Sequence, residues 1–152
     1  MKEIAGVSSN TFKVLIVDDI QLNLLLLDKM LKPFEFQMVK AGNGREALHV
    51  LQDRMGTPEK IDLLIVDLMM PDIDGYEVIE SLRNGRHDAE FDIPAFDKQE
   101  LPIVILSGMN FGDDVKRGLD LGANKFVTKP VVMTQLYNIV TEELTQKVQS
   151  GK

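Results

Sequence analysis

Residues 61–75 read IDLLIVDLMMPDIDG, in which the apolar run 63–66 ends at Asp67 and is followed by a loop. A short apolar run with β-branched residues and turn residues at its ends is typical of a strand buried on both faces, as in a parallel sheet covered by helices. Pro71 fixes one backbone angle in the loop, and Gly75 can adopt conformations closed to other residues. Open α/β sheets bind ligands at the carboxyl ends of their strands, so we predict a functional carboxylate at Asp67.

The rest of the chain alternates between short apolar runs and segments with helical periodicity. The pattern predicts five strands, at 13–17, 36–40, 62–67, 102–106 and 125–128. It predicts five helices, at 21–32, 45–55, 76–83, 113–121 and 133–148. Such a βα repeat indicates an α/β fold with a doubly wound parallel sheet in the order 2-1-3-4-5. In that order the first and third strands deliver Asp18, Asp19 and Asp67 into one crevice.

Three segments fall outside this repeat. Residues 1–11 are polar and predict a flexible N-terminal arm, and residues 149–152 predict a polar tail, so that the domain spans 12–148. Residues 84–101 are polar and acidic without a sustained period, which predicts a long surface loop. Loops of this length tend to be functional or mobile. We interpret this one as an inert insertion, with a contact to a specific partner as the alternative.

Composition limits the classes of function. The chain has 152 residues, which suits a single domain, and no cysteine, which excludes disulfides and thiolate chemistry. Its net charge of -7 disfavours direct binding to nucleic acid. The apolar runs are too short to span a membrane, and the start of the chain does not resemble a signal peptide. We therefore expect a cytoplasmic protein with no membrane contact.

Five side chains with complementary chemistry follow the predicted strands, namely Asp18, Asp19, Asp67, Ser107 and Lys129. Three converging carboxylates repel one another, and Mg²⁺ relieves this repulsion while leaving room for water and a phosphate. An ammonium and a hydroxyl can contact phosphoryl oxygens, and an aspartate can form an aspartyl phosphate. Each residue alone is more often a cap, a turn or a solvated loop residue. Together at one sheet edge they predict phosphoryl transfer onto Asp67.

Several sequence segments resemble the CheY-like receiver domain of two-component response regulators. These are VLIVDD at 14–19, AGNGREAL at 41–48, LLIVDLMMPDIDG at 63–75, VILSG at 104–108 and GANKFVTKP at 122–130. The resemblance covers residues 12–146 and implies a flavodoxin-like fold. It also implies a phosphorelay in which a histidine kinase or a histidine phosphotransfer protein phosphorylates Asp67 with Mg²⁺, which switches protein–protein contacts.

The resemblance assigns a metal role to four positions. It implies that Asp19 binds Mg²⁺ directly and that Asp18 binds it largely through water. It further implies that Asp67 supplies an oxygen and that Met69 supplies its backbone carbonyl.

The resemblance assigns the remaining site residues to the phosphoryl group and to a switch. It implies that Ser107 and Lys129 hold the phosphoryl group and that the peptide bond before Pro130 is cis. It places Phe126 at an aromatic switch position whose ring turns inward when Ser107 moves. The sequence alone favours the interpretation of Phe126 as an ordinary core residue of the fifth strand.

Two methionines occupy positions that affect hydrolysis in related proteins. Met69 and Met109 follow Asp67 and Ser107 by two residues, and neither side chain can place a water for attack on an acyl phosphate. We therefore expect slow autodephosphorylation and no turnover of an external substrate. The alternative is a Mg²⁺-dependent phosphatase or phosphotransferase with an aspartyl nucleophile, but such enzymes commonly carry a second acid where Met69 stands. A degenerate receiver is disfavoured because all five site residues are intact.

The first predicted helix suggests a partner surface. It carries more apolar residues than one core-facing stripe needs, namely Leu22, Leu24, Leu25, Leu26, Leu27, Met30 and Leu31. The resemblance implies that the exposed ones contact the histidine donor, while a helix buried more deeply is the alternative. It also implies a possible homodimer or target contact through the fourth helix, fifth strand and fifth helix. A stand-alone receiver and a fragment of a larger regulator or hybrid kinase both fit the sequence.

Overall fold

The computed structural model describes residues 2–108 and 111–151. Its strands are β1 (Glu3–Ile4), β2 (Val7–Ser8), β3 (Lys13–Val17), β4 (Gln37–Ala41), β5 (Leu63–Val66), β6 (Arg86–His87), β7 (Asp92–Ile93), β8 (Ile103–Ser107) and β9 (Lys125–Thr128). Its α-helices are α1 (Gln21–Leu31), α2 (Gly44–Arg54), α3 (Gly75–Asn84), α4 (Gly112–Leu121) and α5 (Met133–Gln149). No helix among the described residues combines the length and the apolar character needed to cross a bilayer.

Five parallel strands form the central sheet in the order β4-β3-β5-β8-β9. This order confirms the predicted doubly wound topology. Neighbouring residues of β3 and β5 point alternately into two cores, which is why both strands are apolar throughout. One core is shared with α2 and α3, and the other is shared with α1 and α5. The sheet is thus covered on both faces, and its carboxyl edge is left open for a site.

The N-terminal residues differ from the predicted flexible arm. β1 pairs with β2 in an antiparallel hairpin, and a turn of 3-10 helix at Ser9–Thr11 leads into β3. Ile4 is buried in the core on the α1–α5 face, together with Phe12. Because burial of Ile4 removes apolar surface from water, this segment is part of the folded domain.

The insertion between α3 and β8 also differs from the predicted surface loop. It contains the antiparallel hairpin β6–β7. Phe91, Ile93 and Leu101 from this segment are buried in the core that α2 and α3 share. The segment therefore packs as a structural part of the domain, although its charged side chains lie on the surface.

Arg83, near the end of α3, holds the insertion to the rest of the fold. Its guanidinium donates to the backbone carbonyls of Phe96 and Asp97 in the insertion, at 3.2 and 3.1 Å. It also donates to the Gly122 carbonyl at 2.8 Å and to the Asn124 side chain at 2.9 Å, both between α4 and β9. Burial lowers the pKa of Arg83 to about 10. One cation thus joins the insertion to the end of α4.

Candidate functional site

The sheet register brings four predicted site residues to one edge. Val17 and Val66 are register partners, so the residues that follow them, Asp18 and Asp67, emerge side by side. The Asp67 backbone N–H donates to the Val17 carbonyl at 3.0 Å. β8 lies between β5 and β9 in the sheet. Lys129 follows β9, and its N–H donates to the carbonyl of Ser107, the last residue of β8, at 2.8 Å. Backbone hydrogen bonds at the strand ends therefore position these residues independently of their side-chain contacts.

Three carboxylates meet at this edge. Asp18, Asp19 and Asp67 each offer one oxygen, and these atoms lie within 4.8 Å of one another. Asp18 is buried, Asp67 is half-buried and Asp19 is exposed, so the cluster opens to solvent on one side. Carboxylate oxygens are the ligands that hard divalent cations prefer, and the opening leaves room for water or a phosphate. The donor set therefore fits Mg²⁺.

Lys129 supplies positive charge to the same cluster. Its Nζ donates to Asp18 Oδ2 at 2.9 Å and lies 3.6 Å from Asp67 Oδ2. Burial raises the pKa of the Asp67 carboxyl, and the charge of Asp18 adds to this effect. Lys129 and the hydrogen-bonding backbone N–H groups of Leu68 and Met69 act in the opposite direction. One ammonium thus compensates the acids only in part, which leaves a negative site suited to a cation.

The Asp18 carboxylate accepts hydrogen bonds from two groups that the sequence analysis did not identify. Its Oδ1 accepts from the Ile20 backbone N–H at 2.9 Å, and its Oδ2 accepts from Asn23 Nδ2 at 3.1 Å. Asn23 is an amide between Leu22 and Leu24 in the leucine-rich sequence of α1. A polar residue between two leucines, four positions after Asp19, is the signal that could have identified it.

The loop after β5 holds Asp67 through its backbone. Asp67 Oδ1 accepts from the Leu68 N–H at 2.8 Å, and the Gly75 N–H donates to the Leu68 carbonyl at 3.0 Å. A Cβ atom at Gly75 would lie 2.3 Å from the Asp67 carbonyl oxygen and 2.8 Å from Leu68 Cα. Both neighbours are backbone, so they cannot rotate away. Glycine at this position therefore allows the start of α3 to approach the acid-bearing strand.

We expect Gly75→Ala to destabilise the domain by about 1–3 kcal/mol, because the added methyl group forces the Asp67 loop and α3 apart. Urea unfolding measures the change. The control is Gly42→Ala, whose added Cβ would make an ordinary contact of 3.6 Å with a Glu46 oxygen. Equal stability losses in the two variants would contradict the close approach at Gly75.

The other predicted site residues occupy distinct environments. Ser107 is buried at the end of β8, and the peptide bond between Lys129 and Pro130 is cis. Phe126 is half-buried and packs against the core on the α2–α3 face. Met69 has an exposed side chain on the loop after β5. Met109 lies outside the described residues.

Comparison with known sequences identifies the family that this chain resembles. A family model described as the response regulator receiver domain matches residues 14–141. The chain is similar to the two-component response regulator ARR11 of Arabidopsis thaliana, with 32% identity over 147 residues, or 97% of this chain and 25% of that protein. The present chain covers between 21% and 30% of the length of each of three curated relatives, one of which is ARR11.

Comparison with solved structures agrees. A probable two-component system response regulator/GGDEF domain protein is similar with a TM-score of 0.78 and 28% identity, covering 91% of this chain and 51% of that one. The CheX-CheY-BeF3-Mg+2 complex from Borrelia burgdorferi contains a chain that is similar with a TM-score of 0.72 and 25% identity, covering 86% of this chain and 87% of that one. The fold is therefore the CheY-like, flavodoxin-like fold predicted from the sequence.

Proposed function

The chain belongs to the response regulator receiver domain family, and on that premise we propose that it is the phosphoacceptor of a two-component phosphorelay. Asp67 accepts a phosphoryl group from a histidine kinase or a histidine phosphotransfer protein. The observation that carries the proposal is the meeting of three carboxylates and the Lys129 ammonium at one sheet edge.

The transfer is a substitution at phosphorus. An Asp67 carboxylate oxygen forms the new P–O bond while the P–N bond to the donor histidine breaks, and the electron pair of that bond returns to the imidazole nitrogen. Lys129 neutralises negative charge on the phosphoryl oxygens, and the Ser107 hydroxyl donates a hydrogen bond to one of them. The protein thus contributes mainly positioning and charge.

Magnesium has a defined place in this proposal. Asp18, Asp19 and Asp67 would hold it through carboxylate oxygens or bridging water, and Met69 through its backbone carbonyl. When bound, Mg²⁺ supplies positive charge that lowers the repulsion between the incoming phosphoryl oxygens and the acids. The similar chain from Borrelia burgdorferi belongs to a complex that contains both Mg²⁺ and BeF3, which supports the choice of this cation for the present fold.

In this proposal, phosphorylation of Asp67 affects a second surface through Phe126. Phe126 lies on β9, and its ring is close to Gly118 on α4. A Cβ atom added at Gly118 would be 3.5 Å from a carbon of this ring. Movement of Ser107 toward the phosphoryl group changes the packing around Phe126. The face formed by α4, β9 and α5 then binds a target or a second copy of the chain in a phosphorylation-dependent way.

The donor binds beside the acids. A groove of about 410 Å³ runs between α1 and the β9–α5 connection, and both Leu26 and Lys129 line it. Leu22 and Leu26 are exposed on α1, as the excess of apolar residues predicted. Exposed apolar patches with polar rims mark sites of protein association. A donor helix in this groove would contact Lys129, which lies 3.6 Å from Asp67, and this supports α1 as the donor surface.

We expect Leu26→Asp to slow phosphoryl transfer from a phosphorylated histidine phosphotransfer protein at least about tenfold, because a charge then meets the apolar donor surface. The rate of transfer between the labelled proteins measures the effect. Leu119→Asp is the matched control, since Leu119 is 40% exposed on α4 and Leu26 is 50% exposed on α1. Equal rates for the two variants would remove α1 from the donor surface.

The direct test of the proposed function uses a small phosphodonor. Incubation with acetyl phosphate and Mg²⁺ is expected to add one phosphoryl group to the chain, detected by intact mass. Chelation of Mg²⁺ is expected to prevent the addition. Absence of any mass gain with Mg²⁺ present would contradict the proposal, and sustained turnover of a phosphate ester would favour an aspartyl phosphatase.

A further inference from the structure

The buried carboxylate of Asp18 is held from three directions. Only 1% of this residue is exposed. Its Oδ1 accepts from the Ile20 N–H at 2.9 Å, and its Oδ2 accepts from Lys129 Nζ at 2.9 Å and from Asn23 Nδ2 at 3.1 Å. Two of these donors are side chains with different charge. Lys129 and Asn23 are therefore expected to respond differently when a cation or a phosphate enters the site.

Lys129 is the donor with a second partner. Its Nζ also lies 3.6 Å from Asp67 Oδ2, and the proposed function requires it to neutralise a phosphoryl group there. The lysine ammonium is a compact charge on a flexible side chain, so it can move toward the stronger of two nearby negative charges. Contact with a phosphoryl group on Asp67 therefore weakens its hold on Asp18, and Asp18 Oδ2 then depends on Asn23.

Asn23 suits this role because of its place and its chemistry. It lies in the first turn of α1, where its own N–H donates to the Ile20 carbonyl at 3.0 Å, so the helix start fixes its backbone. Its amide carries no charge and can orient a carboxylate without repelling a cation. Asparagine is a weaker helix former than the leucines around it, so helix formation does not account for it.

We propose that Asn23 is a positioning residue for the cation site. Its amide fixes the Asp18 carboxylate in the orientation that faces Mg²⁺ together with Asp19 and Asp67. The inference rests on the proposed function and deepens it. Partners that orient metal ligands typically change metal affinity about 10- to 100-fold when they are removed.

The test measures cation binding directly. Asn23→Leu removes the donor and keeps the size of the side chain, and Asn23→Ala removes the donor with less bulk. Calorimetric titration with Mg²⁺ alone is expected to show at least about tenfold weaker binding in both variants. In phosphorylation by acetyl phosphate, the Mg²⁺ concentration for half-maximal rate is expected to rise by the same factor, while the rate at saturating Mg²⁺ stays near that of the parent.

Gln21→Leu is the matched control, because Gln21 is an exposed amide in the same turn of α1. It is expected to bind Mg²⁺ like the parent. Urea unfolding in a chelator identifies a variant that has lost its fold, and the other Asn23 variant then decides the outcome. Parental Mg²⁺ affinity in a folded Asn23 variant, or an equal loss in Gln21→Leu, would overturn the inference. A parent that neither binds Mg²⁺ nor gains a phosphoryl group would overturn the proposed function as well.

Discussion

Replacement of Asp67 with asparagine is expected to abolish the Mg²⁺-dependent gain of one phosphoryl group from acetyl phosphate. The amide has nearly the size of the carboxylate, but it lacks the anionic oxygen that attacks phosphorus. It also removes one charge from a cluster in which three acids lie within 4.8 Å of one another, which weakens the cation site. Intact mass after a fixed incubation measures the loss.

Asp72→Asn is the control for this experiment. Asp72 lies in the same loop as Asp67 but is exposed and paired with Arg45 at 2.8 Å. Its φ of 68° lies in the left-handed region, which asparagine adopts readily, so the substitution introduces no backbone strain. It is expected to leave phosphorylation at the parental level. A full mass gain in Asp67→Asn would assign the phosphoryl group to another acid.

Truncation of Phe91 to alanine is expected to destabilise the domain by about 3–5 kcal/mol, the range for a fully buried phenylalanine. The residue is 1% exposed although it belongs to the polar insertion. Its ring centre lies 4.6 Å from that of His49 on α2, and the Arg86 guanidinium lies 5.1 Å from it. Loss of the ring leaves a cavity between the insertion and α2. The midpoint of urea unfolding, with an unchanged slope, measures the effect.

Phe111→Ala is the matched control, because Phe111 is 74% exposed at the start of α4. Its truncation is expected to change stability by no more than about 0.5 kcal/mol. If Phe91→Ala proved as mild as this control, the packing of the insertion against α2 would contribute little to stability. A large difference is the expected result, because Phe91 is buried in the core that α2 and α3 share.

The central sheet and the acid cluster follow from strong sequence signals. Runs such as 63–66 are apolar on both faces, which is typical of strands in a parallel sheet covered by helices. The carboxyl ends of such strands share one edge, so the acids after β3 and β5 had to meet. The cis bond before Pro130, which the family resemblance implied, is present in the structure.

The elements that sequence analysis missed are short and depend on single contacts. β1, β2, β6 and β7 have two residues each, too few to show an alternating pattern. Ile4 of the first hairpin, and Phe91 and Ile93 of the second, are buried, but they are too few to form a recognisable apolar run. Asn23 was missed because its role depends on a contact with Asp18, which no helical periodicity reveals.

The contacts of Arg83 have a consequence for any shortened version of this domain. A deletion that restores a brief connection between α3 and β8 would remove two of the carbonyls that accept from its guanidinium. The guanidinium would then keep unsatisfied N–H donors at a partly buried position. A trimmed variant therefore calls for a second substitution at position 83, and a chain edited only by excision should lose order at the end of α4 first, where the same side chain supports the Gly122 carbonyl.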